Sequence, residues 1–319
     1  MKGNANSQGG KAFFSQFSSP GLTMSEPLLQ VRGLVKSFGR VEALRKVSFD
    51  LPAGRLTVFL GANGAGKTTT LKIILGFLFP DGGEVKKTLP AWRVGYVPEQ
   101  PAAFPWLKAR EILAITARVY GLSAKEGQAR VKELAATLSF DLSLLERRVK
   151  TYSHGNQKKF AYLQNLLIDP DLLIVDEPFA ALDPVAIKQV RDLFLNYRGK
   201  GRTLLVSTHL ISEAEKLVDR VVIIREGRTV LEADWPDFQK NHFRVAVKKE
   251  SPAAAFFQRR WPEYQEREGF LENFIPRQEW EEFRANLSSV FQEAVVQECL
   301  LKEPDLESVF LFYSPPPAT

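Results

Sequence analysis

Apolar residues fall into short runs from Leu28 onward, and stretches of helical spacing separate those runs. "LLQVRGLVKSF" and "VSFDL" read as strands. "RLTVFL" is a compact apolar run that ends in a glycine-rich turn, and the helical "KTTTLKIILGFL" follows it. "WRVGYV", "LLIVDEP" and "TLLVSTH" are three further buried-strand candidates, each set apart by helical sequence. This alternation predicts an α/β fold, with a largely parallel sheet covered by helices.

The same pattern divides the chain. Residues 1–23 are rich in Gly, Ser, Asn and Gln and hold no period, so a loose tail is expected there. Met24 opens folded-looking sequence at once, and translation starting at Met24 is one expectation. Residues 24–235 carry the strand–helix alternation, and residues 107–166, including "AKEGQARVKELAATL", look like an inserted helical subdomain. "RVVIIREGRTVLEAD" reads as a hairpin turning at "EGR". After "DWPDF" the character changes, and residues 236–313 read as a small α+β appendage that ends in a loose 314–319.

Charge and cysteine content narrow the function classes. The net charge is +6, but residues 235–319 hold ten basic and fourteen acidic side chains, so the excess lies on the first 234. A basic body suits nucleic acid, or a nucleotide together with an acidic membrane face. No aromatic-interleaved basic stripe and no zinc-ligand spacing accompanies it, so no nucleic-acid partner is expected. One cysteine, Cys299, leaves no internal disulfide framework, and no apolar run approaches membrane-spanning length. A soluble, cytoplasmic protein is expected.

"GANGAGKTT" fits the phosphate-binding pattern G-x-x-x-x-G-K-[ST], with Gly61, Gly66, Lys67 and Thr68 at the fixed positions. The loop of Gly61, Ala62, Asn63, Gly64, Ala65 and Gly66, running into Thr69, lets main-chain N–H groups converge on phosphate oxygens. The dipole of the helix that follows adds to this pull. Lys67 would reach the β- and γ-phosphates, while the Thr68 hydroxyl would ligate Mg²⁺. "LLIVDEP" delivers Asp176 at a strand's C-terminal end, where a carboxylate can hold Mg²⁺. Glu177, next to it, is placed to orient or deprotonate an attacking water.

With both motifs present, the chain resembles the ATP-binding cassette (ABC) ATPases, P-loop NTPases that serve as the nucleotide-binding subunits of ABC transporters. The likeness runs from about Leu28 to Ala233 and rests on further markers in the right order. By resemblance, Phe38 in "KSFG" stacks on adenine and Ala43 touches the same ring. Gln100 in "YVPEQ" matches the glutamine that senses Mg²⁺ and the membrane subunit. Ser153, His154, Gly155 and Asn156 in "YSHGN" match the signature loop, which contacts the ATP of a partner subunit. Asp183 in "ALD" matches the residue that crosses the dimer interface, and it also suits a helix N-cap before Pro184. His209 in "STH" matches the switch histidine.

Signature loops in this family usually read Leu-Ser-Gly-Gly-Gln, so Tyr152, His154 and Asn156 depart from the pattern. Ser153, Gly155 and the helix expected to begin near Asn156 keep the hydroxyl, the approachable backbone and the dipole needed to bind a phosphate. A protonated His154 would add positive charge there. The resemblance implies an Mg-dependent ATPase that forms an ATP-sandwiched homodimer. It also implies a separate transmembrane permease, which would hold the chain at the inner face of the cell membrane. The ending "PDLESVFLFYS" resembles exporter-type cassettes. An alternative is a cassette ATPase that acts on a nucleic-acid or ribosomal partner. It is disfavoured because there is one phosphate loop and only 85 residues lie between Lys67 and Ser153.

Overall fold

The computed structural model of the protein describes residues 27–90, 93–100, 104–290, 295–296 and 298–314. The expected 1–23 tail, Met24 and residues 315–319 lie outside the described residues. In chain order the first elements are β1 (Pro27–Phe38), β2 (Val41–Pro52), β3 (Leu56–Leu60), α1 (Lys67–Ile74), β4 (Gly82–Lys87) and β5 (Val94–Val97). A helical region follows, with α2 (Ala109–Val119), α3 (Ala124–Thr137), two short 3-10 turns and α4 (His154–Leu166). Next come β6 (Leu172–Asp176), α5 (Pro184–Gly199), β7 (Thr203–Ser207), α6 (Ile211–Glu215), β8 (Arg220–Arg225) and β9 (Arg228–Asp234).

These strands make two sheets. The six-stranded sheet runs β5-β6-β7-β3-β8-β9, parallel except for β9, which turns back on β8 through Glu226 and Gly227. Both turn residues have positive φ, 48° and 73°, as a tight hairpin turn requires. The second sheet is antiparallel, in the order β2-β1-β4. The apolar pattern gave no sign of β4, whose sequence GGEVKK offers one apolar residue; it forms by pairing with β1. α1 stops at Ile74, before the end of its apolar pattern, because Gly76 turns left-handed at φ 79°.

The all-apolar strands have both faces covered. On β3, Leu56, Val58 and Leu60 face a cluster with the helical subdomain, while Phe59 faces the antiparallel sheet through Phe49. β6 divides the same way, with Leu173 and Val175 on one side and Leu172 and Ile174 on the other. Each such side chain contributes roughly 1.5–3 kcal/mol on burial, so the central sheet is a stiff platform for its strand ends.

The C-terminal region continues with α7 (Trp235–Asn241), β10 (His242–Lys248), α8 (Ala254–Arg260), β11 (Gln265–Arg267), β12 (Phe270–Pro276), α9 (Arg277–Val290), β13 (Leu300–Lys302) and α10 (Leu306–Tyr313). Its sheet, in the order β11-β12-β10-β13, is antiparallel. One face carries its own core around Val245, Phe257, Leu271 and Trp280. Cys299 is part of this core, and burial pushes its thiol up to about 11, so it is a packing residue. α10, expected as the end of the appendage, sends Leu306, Val309 and Phe312 into the large cluster of the preceding region. Phe274 of β12 joins the same cluster, 6.1 Å from the Phe238 ring and 5.3 Å from that of Phe312. Among the described residues no helix is long and apolar enough to cross a membrane.

Candidate functional site

The turn between β3 and α1 is built so that only glycine fits at two of its positions. A Cβ at Gly66, which has φ 103° and caps α1, would lie 2.6 Å from Leu44 and 2.8 Å from the Ala43 carbonyl. A Cβ at Gly61 would meet the Ile224 carbonyl at 2.7 Å. The loop is therefore pressed against β2 and β8, and its backbone is presented on the other side. Lys67, 9% exposed, folds under the loop and donates to the Gly61 and Ala62 carbonyls at 2.5 and 3.3 Å. Burial holds its ammonium below the ordinary lysine range, against the opposing pull of Glu177, Asp176 and Glu99.

Beside the loop, β6 ends in Asp176 and then Glu177. The Thr68 hydroxyl lies 3.5 Å from Asp176 Oδ2. Burial raises the Asp176 carboxyl above the ordinary range, and the like charges of Glu177 and Glu99 raise it further. Glu177 is 9% exposed and sits at φ 49°, a conformation a non-glycine residue takes only when its surroundings impose it. Its N–H donates to the Ser207 carbonyl at 2.7 Å. Its Oε2 lies 2.9 Å from His209 Nδ1 and accepts the His209 backbone N–H at 3.3 Å.

A cleft of about 300 Å³ opens over these groups, lined by Phe38, Ala43, Ala62, Asn63, Gly64, Gly66, Lys67, Thr68, Thr69, Asp176 and Glu177. Phe38 is half exposed and carries Lys36 Nζ 5.7 Å above its ring. Among the described residues no three His, Cys, Asp or Glu side chains gather as a metal site. Thr68 and Asp176 instead offer two hard oxygens side by side, the small donor set that suits magnesium when phosphates and water complete its shell.

The signature residues stand apart from the cleft. Ser153 caps α4, its Oγ accepting the Asn156 N–H at 3.3 Å, so the helix begins at His154, two residues earlier than expected. Ser153 and His154 are exposed. Gly155 lies against the loop before α5: a Cβ there would come 3.6 Å from the Ala181 carbonyl. Asp183 caps α5, accepting the Ala186 N–H at 2.8 Å, with Pro184 at the first helical position. Of the remaining candidates, Gly61 and Ala65 are buried parts of the loop that do not line the cleft, while His209 is exposed beyond Glu177.

Comparison with known proteins fits this arrangement. The family described as ABC transporter matches residues 44–180. The uncharacterized ABC transporter ATP-binding protein YxlF of Bacillus subtilis is 34% identical over 230 residues, covering 70% of this chain and 77% of that protein. The chain belongs to the ABC transporter ATP-binding family. The cassette is also 35% identical over 213 residues to the Nod factor export ATP-binding protein I of Burkholderia lata, across 64% of this chain and 70% of that one. A solved ATP-binding subunit of an ABC transporter superposes with a TM-score of 0.63 at 30% identity, covering 67% of the cassette chain and 92% of its own.

Three residues that sequence reasoning passed over join the cassette's site. Glu99 lines the cleft, whereas its neighbour Gln100 is exposed and does not. Lys158, on α4, is 2% exposed and donates to the carbonyls of Pro98 and Asp176 at 2.9 Å and of Glu99 at 3.4 Å. Burial pushes its ammonium down to about 8, against the attraction of Asp176, Glu99 and Glu177. One turn later the fully buried Tyr162 hydroxyl donates to the Pro178 carbonyl at 3.1 Å. A signal was present for Lys158: it shares the helix face of Tyr162, Ala161 and Asn165, so a lysine there must bury its charge and find acceptors.

Proposed function

We propose that the cassette hydrolyses ATP between two head-to-tail copies of itself, and that the cycle of closing and reopening drives export through a separate membrane permease. The observation that carries this reading is a division within one chain. Phosphate loop, Asp176 and Glu177 share a cleft, while Ser153 to Asn156 form a helix start, exposed at Ser153 and His154, that contributes nothing to its lining. A second copy completes each cleft with the phosphate-binding end of its α4.

Each side chain then has a task. Phe38 and Ala43 hold the base. Lys67 and the loop N–H groups hold the phosphates. Thr68 and Asp176 would hold Mg²⁺; the ion, when bound, supplies charge neutralisation at the phosphates. Glu177 orients the attacking water and accepts its proton, and His209 fixes the Glu177 carboxylate while facing the γ-phosphate. Ser153, His154, Gly155 and Asn156 contact the partner's nucleotide, with Asp183 at the shared interface.

Export is favoured by the likeness to a protein named for Nod factor export and by the "DLESVFLFYS" ending. A permease needs an apolar landing surface, and the helical subdomain together with the segment just before it supports one. Phe104 and Trp106, both more than half exposed, meet edge to face at 6.1 Å. A cleft of about 800 Å³ lined by Leu113, Ala117, Val131 and Leu142 lies in the same subdomain. Such docking would place the chain at the inner face of the membrane.

The test is Glu177→Gln. The variant should bind ATP, lose turnover by about 10²–10⁴-fold and accumulate as a dimer with Mg-ATP on size-exclusion chromatography. A monomer at saturating Mg-ATP would contradict the reading.

A further inference from the structure

We propose that Lys158 and Tyr162 are positioning residues: spaced one turn apart on the signature helix, they clamp the backbone on both sides of Glu177 and so set the catalytic carboxylate. This rests on the reading of Glu177 as the catalytic base. Lys158 Nζ donates to the carbonyl of Asp176, immediately before Glu177, at 2.9 Å. The Tyr162 hydroxyl donates to the carbonyl of Pro178, immediately after it, at 3.1 Å. Both side chains are essentially inaccessible to solvent. Between these anchors the Glu177 N–H is held by Ser207 and its carbonyl accepts from Ala180 N at 3.3 Å.

The clamp has something to hold. Glu177 is left-handed at φ 49°, a geometry that relaxes unless its neighbouring peptides are fixed. Two donors on a rigid helix fix them. A rotation of either peptide would swing the carboxylate away from His209, 2.9 Å distant. Lys158 also grips the Pro98 and Glu99 carbonyls, so one ammonium ties the segment after β5, the end of β6 and α4 together.

The connection has a direction. α4 is capped at Ser153, the end offered to the partner's nucleotide. A shift of that helix on nucleotide engagement is therefore felt at the Glu177 peptide of the same chain. In a head-to-tail pair this links one ATP site to the other.

The experiment compares the full-length parent with Lys158→Met, Lys158→Arg, Tyr162→Phe and Glu177→Gln, using ATP for both equilibrium binding and single-turnover hydrolysis. Lys158→Met should lower the hydrolysis rate by roughly a hundredfold, the scale of a 1 Å misplacement. Tyr162→Phe should lower it by about fivefold, the scale of one lost hydrogen bond. Both should keep a dissociation constant for ATP within about twofold of the parent, which separates positioning from general damage. Lys158→Arg, which keeps the donors, should recover much of the loss. Tyr162→Phe hydrolysing at the parent rate overturns the clamp, and so does any pattern in which rate and affinity fall in the same proportion. If Lys158→Met does not fold, Tyr162→Phe alone decides. Glu177→Gln at the parent rate refutes the underlying assignment instead, so the two failures are distinguishable.

Discussion

The cassette and the C-terminal appendage use their β-sheets in opposite ways. In the cassette, β3, β6 and β7 are buried along their whole length and run parallel. All three C-terminal ends therefore emerge on one edge, and Gly61, Glu177 and His209 follow them there. In the appendage β10 and β12 are antiparallel, with exposed or half-buried positions among buried ones, so their ends point both ways and gather no such group. Parallel order concentrates chemistry at one edge, whereas antiparallel order yields a packing surface.

Three substitutions would break or sharpen this contrast. The largest effect is expected at Trp280, which is fully buried in the appendage core. Trp280→Ala should cost about 3–5 kcal/mol in a denaturant melt while ATP affinity of the folded protein is unchanged. Loss of affinity in step with stability would show that the appendage shapes the cleft. Next, Lys67→Ala should weaken ATP binding by roughly a hundredfold, the scale of lost charged hydrogen bonds to phosphate, as read by isothermal titration. Unchanged affinity would tell against the assigned loop. The smallest effect belongs to Phe38→Ala, expected to weaken ATP binding by about 1 kcal/mol through lost stacking. Because an adenine-free triphosphate lacks the ring, its binding should be insensitive to that change, which separates base stacking from a general change in the cleft.

How much was legible varied with the locality of the cause. The strands of the central sheet were readable because a strand buried on both faces must be apolar at nearly every position. The glycine-rich turn between β3 and α1 was readable because its glycines, lysine and threonine are adjacent in sequence. β4 was not, since its one apolar residue gives no period and its partner β1 lies more than forty residues earlier. α10 was legible as an element but not in its allegiance, because an apolar helix carries no mark of which core will bury it. The start of α4 was placed late because His154 and Gly155 are poor helix signals, whereas the Ser153 cap decides it.

Sequence alone determined the glycine-rich turn, the adjacent Asp176–Glu177 pair and the apolar strands of the central sheet, because each depends on neighbouring residues and on a repeating apolar pattern. Tertiary structure decided that Glu99 lines the cleft, that Glu177 adopts a left-handed backbone, and that Lys158 and Tyr162 brace it from either side. Those facts depend on which distant carbonyl lies within about 3 Å of a buried donor, a property of packed elements that no local stretch of residues encodes.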